Sequence, residues 1–112
     1  MSFEVKVTPN FQKRAKRLVK KHASLKIELE KLAGQLRGNP TIGISLGANV
    51  YKIRLSVKSK GGGKSGGMRV ISVVVFLSNR VYLADIYDKS EQSTLSDKEL
   101  KILIEEIENK LQ

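Results

Sequence analysis

Residues 51–91 decide how this chain folds, and they read YKIRLSVKSKGGGKSGGMRVISVVVFLSNRVYLADIYDKSE. The stretch contains a basic strand, a loop of glycine and lysine, an apolar strand that opens with an arginine, and a last strand. Successive side chains of a strand point to opposite sides of the sheet. The first strand therefore has an apolar side and a cationic side, made respectively of Tyr51, Ile53, Leu55 and Val57 and of Lys52, Arg54, Ser56 and Lys58.

We place the three strands near 50–58, 68–77 and 80–88. The middle strand, VISVVVFL, is apolar on both faces, which predicts a central strand that is covered on both sides. Either Ser78-Asn79 or Asn79-Arg80 can supply a tight hairpin turn to the last strand.

The flanking segments predict one more strand and three helices. Phe3, Val5 and Val7 alternate with polar residues, which indicates a short strand, and Thr8-Pro9 then caps and opens a helix. This first helix is amphipathic and strongly basic, a pattern that suits a nucleic acid, a membrane surface or simply solvent. A second helix is marked by leucines at helical spacing, at Leu25, Leu29, Leu32 and Leu36.

Residues 41–49 are predicted to form a connecting loop, and Ser96 with Glu99 forms a capping box that opens a C-terminal helix. The predicted fold class is therefore α+β, in the order β-α-α-β-β-β-α. We expect a small, mostly antiparallel sheet packed by a helical hairpin and by the C-terminal helix. A chain of 112 residues fits one domain, so we expect a single domain over 1–112.

The charge of the chain limits the classes of partner that it is expected to bind. Lysine and arginine number 21 against 11 acidic residues, and no acidic residue occurs from Lys31 through Ala84. Such a positive field attracts polyanions, so we expect a nucleic acid, an acidic protein chain, or both. The chain has no cysteine, no apolar run long enough to span a membrane and no signal-like N-terminus, which predicts a soluble cytoplasmic protein without a disulfide or zinc site.

The segment GKS at 63–65 resembles part of a nucleotide-binding phosphate loop, but two features exclude that interpretation. The pattern requires a glycine where Lys58 stands, and it must open a helix, whereas a strand follows here. The loop still offers accessible backbone N–H groups and three cations. We predict that it contacts RNA or DNA through Lys58, Lys60 and Lys64.

Four cations on neighbouring strands form the candidate site: Lys52, Arg54, Arg69 and Lys89. Such a cluster can stabilise the extra negative charge of a phosphorane-like transition state, or it can simply dock phosphate. Of Tyr82 and Tyr87 on the last strand, we expect one in the core and one free to stack on a base. The single histidine, His22, is expected to be an exposed helix-end residue without a partner, which leaves no histidine-based metal or acid–base site.

At YKIRL, KSKGGGKSGGMRVI and VYLADIYDKSE the sequence resembles the RelE/ParE superfamily of toxins from type II toxin–antitoxin systems, and most closely its HigB-like branch. The resemblance implies a toxin that enters the ribosomal A site, cleaves mRNA without a metal or cofactor, and is inhibited by a cognate antitoxin. Lys52, Arg54 and Arg69 match the family's basic catalytic residues, and Lys89 matches the last group approximately.

The chain departs from the RelE branch after its last strand. Ser90 stands where a further arginine follows in that branch, and no tyrosine follows Tyr87. Tyr87, Asp88 or Glu91 therefore remain candidates for acid–base chemistry, and Tyr87 also for RNA contact. The alternatives are a non-enzymatic, ParE-like inhibitor of DNA gyrase and an inactive relative that binds RNA or antitoxin. We expect an acidic antitoxin segment to cover the 52–69 surface or to displace the C-terminal helix.

Overall fold

A computed structural model describes residues 2–57, 67–91 and 95–111. In chain order the elements are β1 (Glu4–Val7), α1 (Pro9–Lys21), α2 (Leu25–Gly38), β2 (Ile44–Gly47), β3 (Val50–Leu55), β4 (Met68–Val75), β5 (Arg80–Asp88) and α3 (Asp97–Glu106), with a π-helical extension at Ile107–Leu111. No helix within these ranges is long and apolar enough to cross a lipid bilayer.

One sheet organises the molecule, with its strands in the order β1-β5-β4-β3-β2. All neighbouring pairs are antiparallel except β1 and β5, which are parallel. The predicted α+β class is confirmed. The apolar strand β4 lies at the centre of the sheet and is buried at every position from Met68 to Val74, as its sequence predicts.

Two apolar clusters cover the two faces of the sheet. Helices α1 and α2 pack on one face, where their buried residues, among them Leu18, Leu25 and Leu36, join Ile53 and Val70. Helix α3 covers the other face with Leu103 and Ile107, in a cluster that also contains Leu95, Ile71, Val73, Tyr82 and Tyr87. The second face, expected from β3 to be cationic, is therefore partly a second core.

The segment predicted as a connecting loop contains β2, which pairs with β3. Ala48 and Asn49, with φ of 53° and 63°, make the two-residue turn between the strands, and alanine at the first position is an atypical residue for a turn that needs two positive φ values. Gly43, with φ of 107°, approaches β3 so closely that a Cβ atom would stand 2.5 Å from the carbonyl oxygen of Lys52. This strand was missed because its turn lacks the usual sequence signal.

The connection from β4 to β5 is also longer than predicted. A 3-10 turn over Phe76–Ser78 precedes Asn79, which adopts the left-handed conformation with φ of 52° and ψ of 48°. The caps predicted at Thr8 and Ser96 are confirmed: the Thr8 hydroxyl accepts a hydrogen bond from the Phe11 N–H at 3.1 Å, and Ser96 and Glu99 form the reciprocal capping box. Ser24, which the sequence also suggests as a cap for α2, makes no capping hydrogen bond through its side chain.

Thr8 also anchors α1 to an irregularity in β5. The register between β4 and β5 shifts so that Ala84 has no partner in the ladder. Its carbonyl oxygen accepts hydrogen bonds from the Thr8 hydroxyl at 3.2 Å and from the Asn10 amide at 2.9 Å. The bulge leaves this strand carbonyl without a partner in the sheet, and side chains at the start of α1 supply its hydrogen bonds instead.

Candidate functional site

The site rests on a row of three residues across neighbouring strands. Arg54 of β3 lies opposite Arg69 of β4, and Arg69 lies opposite Tyr87 of β5. Directly opposed residues share a face of the sheet, so the three side chains project to the α3 side. Lys52, two residues before Arg54, lies on the same face. The structure thus brings Lys52, Arg54 and Arg69 together, as predicted.

Arg69 is the most unusual member of the row because it is a cation inside the protein. The residue is only 3% exposed. Its Nη1 donates a hydrogen bond to the carbonyl oxygen of Met68 at 3.2 Å. Among the described residues no carboxylate lies within 4 Å of its guanidinium, and the residue opposite, Arg54, is also a cation. A buried cation usually has an ionic partner, so this position favours the arrival of an anion.

A cavity of about 230 Å³ adjoins the row between the sheet and α3. Lys52, Ile71 and Tyr87 line it from the sheet, and Asp97 lines it from the start of α3, together with Leu46, Leu95 and Leu100. Asp97 is not recognisable as a site residue from the sequence, because an acidic residue directly after a helix cap is explained by the helix dipole alone. Two further hollows along α3, of about 320 and 270 Å³, contain none of the four predicted catalytic cations.

Comparison with known proteins decides the family. Residues 5–111 match the family model of the RelE toxin of the RelE / RelB toxin–antitoxin system. The chain belongs to the RelE toxin family. It is therefore a toxin of a toxin–antitoxin system, and its family membership implies an antitoxin partner.

Solved structures support the same fold. The E. coli toxin RelE, in the free state and as a double arginine-to-alanine mutant, superposes with a TM-score of 0.63 at 17% sequence identity, over 83% of this chain and 90% of that chain. At this identity the likeness concerns the fold alone. No curated protein matches the chain.

The remaining predicted cations of this RelE-family toxin are placed at the edge of the row or lie beyond the described residues. Lys89 directly follows β5 and is exposed, and its backbone N–H donates to the carbonyl oxygen of Gly67 at 3.2 Å. It therefore stands beside the start of β4, near Arg69 in the ladder. The loop residues Lys58, Lys60 and Lys64 lie outside the described residues, so their role stays a prediction.

Neither tyrosine of β5 is open to solvent. Tyr82 is 3% exposed and Tyr87 is 1% exposed, and both belong to the cluster beneath α3. The expectation that one of them is free to stack on a base is not met in this conformation. Contact between Tyr87 and RNA therefore stays a prediction.

His22 has a partner, contrary to expectation. Its side chain is 16% exposed, and Nε2 lies 3.7 Å from Oδ2 of Asp88. Oδ1 of Asp88 accepts hydrogen bonds from the N–H and the hydroxyl of Ser90, at 2.9 and 2.8 Å. Asp88 lies opposite Met68, whose side chain is in the core under α1 and α2. This carboxylate therefore faces away from the arginine row, which weakens its case as an acid or base.

Glu91 is likewise engaged with α1. Its carboxylate lies 3.3 Å from Arg17 Nη2 and 3.4 Å from Lys21 Nζ. The hydrogen bond from Arg17 is the main cause that lowers the pKa of Glu91, and Lys21 adds to it. Like Asp88, Glu91 serves to fasten the end of β5 to α1.

Asp85 makes the third contact of this kind. Arg14 Nη1 donates to both of its carboxylate oxygens, at 2.8 and 3.0 Å, and the Ile86 N–H donates to Oδ1 at 2.8 Å. Burial raises the pKa of Asp85, while Arg14, Ile86 and Asn10 act in the opposite direction. Within the described ranges no group of three histidine or acidic side chains is arranged to hold a metal ion.

Proposed function

We propose that this RelE-family toxin is a ribosome-dependent endoribonuclease that cleaves mRNA in the cytoplasm without a metal or cofactor, as in the HigB-like branch. One observation carries the proposal: Arg69 is buried, lies opposite Arg54, and has no carboxylate within 4 Å among the described residues. Two adjacent guanidinium groups can each donate two hydrogen bonds to phosphate oxygens. An RNA phosphate would supply the missing counter-charge.

The proposed reaction is an attack by the ribose 2′-hydroxyl on the adjacent phosphate. The 2′-oxygen loses its proton to a base and forms a bond to phosphorus. The bond from phosphorus to the 5′-oxygen breaks, and that oxygen takes a proton from an acid. The products are a 2′,3′-cyclic phosphate and a 5′-hydroxyl. Arg54 and Arg69 would hold the non-bridging oxygens, where negative charge builds up in the transition state.

Lys52 and Lys89 are the residues to which we assign proton management. Lys52 lines the cavity on one side of the arginine row, and Lys89 lies on the other side of the row, beside Gly67. A lysine amine placed beside the reacting oxygens can transfer a proton to or from them, which is the role of a general acid or base. Lys58, Lys60 and Lys64 are assigned to the RNA backbone. Tyr87 and Arg69 are both buried on the α3 side of the sheet, so contact of either with RNA would require the segments that cover them to shift. An antitoxin would inhibit by covering the 52–69 surface or by displacing α3 from its functional position.

The test is a primer-extension map of a reporter message in a reconstituted translation reaction. Wild type is expected to create discrete new 5′ ends that require ribosomes. Arg69→Ala is expected to reduce their rate of formation by about 10²–10³-fold, the loss typical for one group that stabilises a transition state. Arg37→Ala, which removes one exposed arginine from α2, is the matched control and should cleave like wild type.

Two outcomes would contradict the proposal. Cleavage by Arg69→Ala at the wild-type rate would remove the arginine row from catalysis. An intact message, from a preparation of wild-type protein that still arrests cell growth, would favour the gyrase inhibitor instead. A DNA supercoiling assay with purified gyrase would then replace the translation reaction.

A further inference from the structure

Helix α1 contains more cations than form ion pairs with the rest of the described protein. It contains six cations and no acidic residue. Three of the six are paired with carboxylates of β5 and the turn after it: Arg14 with Asp85, and Arg17 and Lys21 with Glu91. These pairs fasten the helix to the sheet, whereas the other three cations, Lys13, Lys16 and Lys20, have no such carboxylate partner among the residues that the structure describes.

Lys13, Lys16 and Lys20 form one exposed stripe. Their spacing of three and four residues places them on the same side of a helix, over about 10 Å of its length. All three are exposed, and none has a carboxylate within 4 Å in the described part of the chain. The helix dipole accounts for a cation in the last turn, such as Lys20, but not for Lys13 or Lys16.

The composition of this face indicates its ligand. The apolar residues of α1 point inward: Phe11, Ala15 and Leu18 are buried, and Val19 is partly buried against the same core. Protein interfaces are usually anchored by aromatic or large apolar side chains, and membrane-bound helices insert apolar ones. The lysine stripe offers neither. Charge without apolar anchors suits the phosphate backbone of RNA, which is bound mainly through counterion release.

We propose that Lys13, Lys16 and Lys20 form a second RNA-binding surface, which docks on phosphates without reading sequence. This surface is separate from the arginine row, because α1 covers the sheet face opposite to the one that bears Arg54 and Arg69. A single RNA strand lying on the arginine row therefore does not reach it. The stripe would hold a different segment of structured RNA, and this binding goes beyond the proposed cleavage and does not depend on it.

Glu91 limits the number of α1 cations that are available to this surface. Its carboxylate holds Arg17 and Lys21, the two cations on the flank of the stripe. Glu91→Gln would release both toward the ligand while changing the net charge by one. The substitution is therefore expected to strengthen RNA binding more than Glu108→Gln, which removes one exposed carboxylate on the other side of the molecule.

The experiment measures binding to a 20-base-pair RNA duplex made of 2′-O-methyl nucleotides, which no 2′-hydroxyl attack can cleave. Fluorescence anisotropy would follow affinity from 50 to 200 mM salt for wild type, K13Q/K16Q/K20Q and K6Q/K98Q/K101Q. The control variant loses the same charge from three exposed lysines outside α1. The stripe variant should lower the slope of log affinity against log salt by about 2.7, because each phosphate contact contributes about 0.9.

The control variant should lower that slope by less than about 1 if its lysines make no phosphate contact. Equal slopes for the two triple variants would overturn the proposal. The same would follow if the effect of the stripe variant disappeared in an Arg69→Ala background, since the two surfaces would then be one. Tighter binding to poly-glutamate than to the duplex, lost in the stripe variant, would assign the surface to an acidic protein instead. Circular dichroism of each variant confirms that α1 is intact.

Discussion

Replacing Arg69 with methionine is expected to make the folded toxin more stable and to abolish its activity. The side chain is a cation in a position that is 3% exposed, and it faces a second cation across the β3–β4 ladder. Methionine keeps the apolar stem that fills this space and removes the charge. A residue retained at the expense of stability is expected at a functional site.

The magnitude follows from three contributions. Transferring a guanidinium from water into the protein interior costs about 3–5 kcal/mol, even after the protein relaxes around it. The hydrogen bond to the Met68 carbonyl returns about 1.5–3 kcal/mol. Repulsion from Arg54 across the strands costs about 0.2–1 kcal/mol. The midpoints of these three ranges combine to about 2 kcal/mol, so Arg69→Met should raise the free energy of unfolding by about 1–3 kcal/mol, within the range seen when buried ionic groups are replaced by apolar ones.

Urea unfolding, followed by circular dichroism at pH 7 in a buffer without phosphate or sulfate, measures this change. The gain corresponds to an increase in melting temperature of about 4–12 °C for a domain of this size. Arg54→Met is the matched control: Arg54 is exposed, so its replacement should change the free energy of unfolding by less than about 1 kcal/mol. Added sulfate should stabilise wild type more than Arg69→Met, because an anion that binds only the folded state stabilises it by mass action.

If Arg69→Met instead lowered the free energy of unfolding by more than about 1 kcal/mol, Arg69 would stabilise the fold and would need a compensating partner, contrary to this prediction. Equal stabilisation of both proteins by sulfate would refute the anion site at Arg69 while leaving the stability estimate intact.

Three further predictions concern other contacts. Thr8→Ala removes a helix cap and a buried donor to the Ala84 carbonyl, and should lower the free energy of unfolding by about 2–3 kcal/mol in urea titrations, whereas Thr8→Ser should retain most of it. The pKa of Glu91 is lower in the folded protein than in the unfolded chain, so Glu91 contributes stability that is present above its unfolded pKa and lost as the pH falls through its folded pKa. Glu91→Gln should therefore make the free energy of unfolding fall less steeply at acid pH, and an unchanged pH dependence would contradict this. Asp97 places a negative charge in the cavity that Lys52 also lines, so Asp97→Asn should strengthen the binding of a non-cleavable RNA at low salt, and unchanged or weaker binding would contradict this.

Local sequence patterns predicted most of the elements correctly. The alternation of β3, the leucine stripe of α2, and the caps at Thr8 and Ser96 depend on residues a few positions apart, so they can be recognised without the fold. The same holds for the central position of β4, since a strand that is apolar on both faces has to be covered on both. Strand β2 was not predicted, because the turn after it, at Ala48-Asn49, lacks the glycine that is typical of such a hairpin.

The order of residues along the chain is enough to establish which residue types are available: a cationic strand, an arginine at the start of the next strand, a basic helix, and acids gathered near the end of the chain. Tertiary structure alone decided how they are used. It buried Arg69 and Tyr87, placed Asp97 and Lys52 around one cavity, and joined α1 to the end of β5 through residues more than 60 positions apart. Charge and periodicity are local properties of a chain, whereas burial and ion pairing depend on which distant segments pack together, and only the folded sheet determines that.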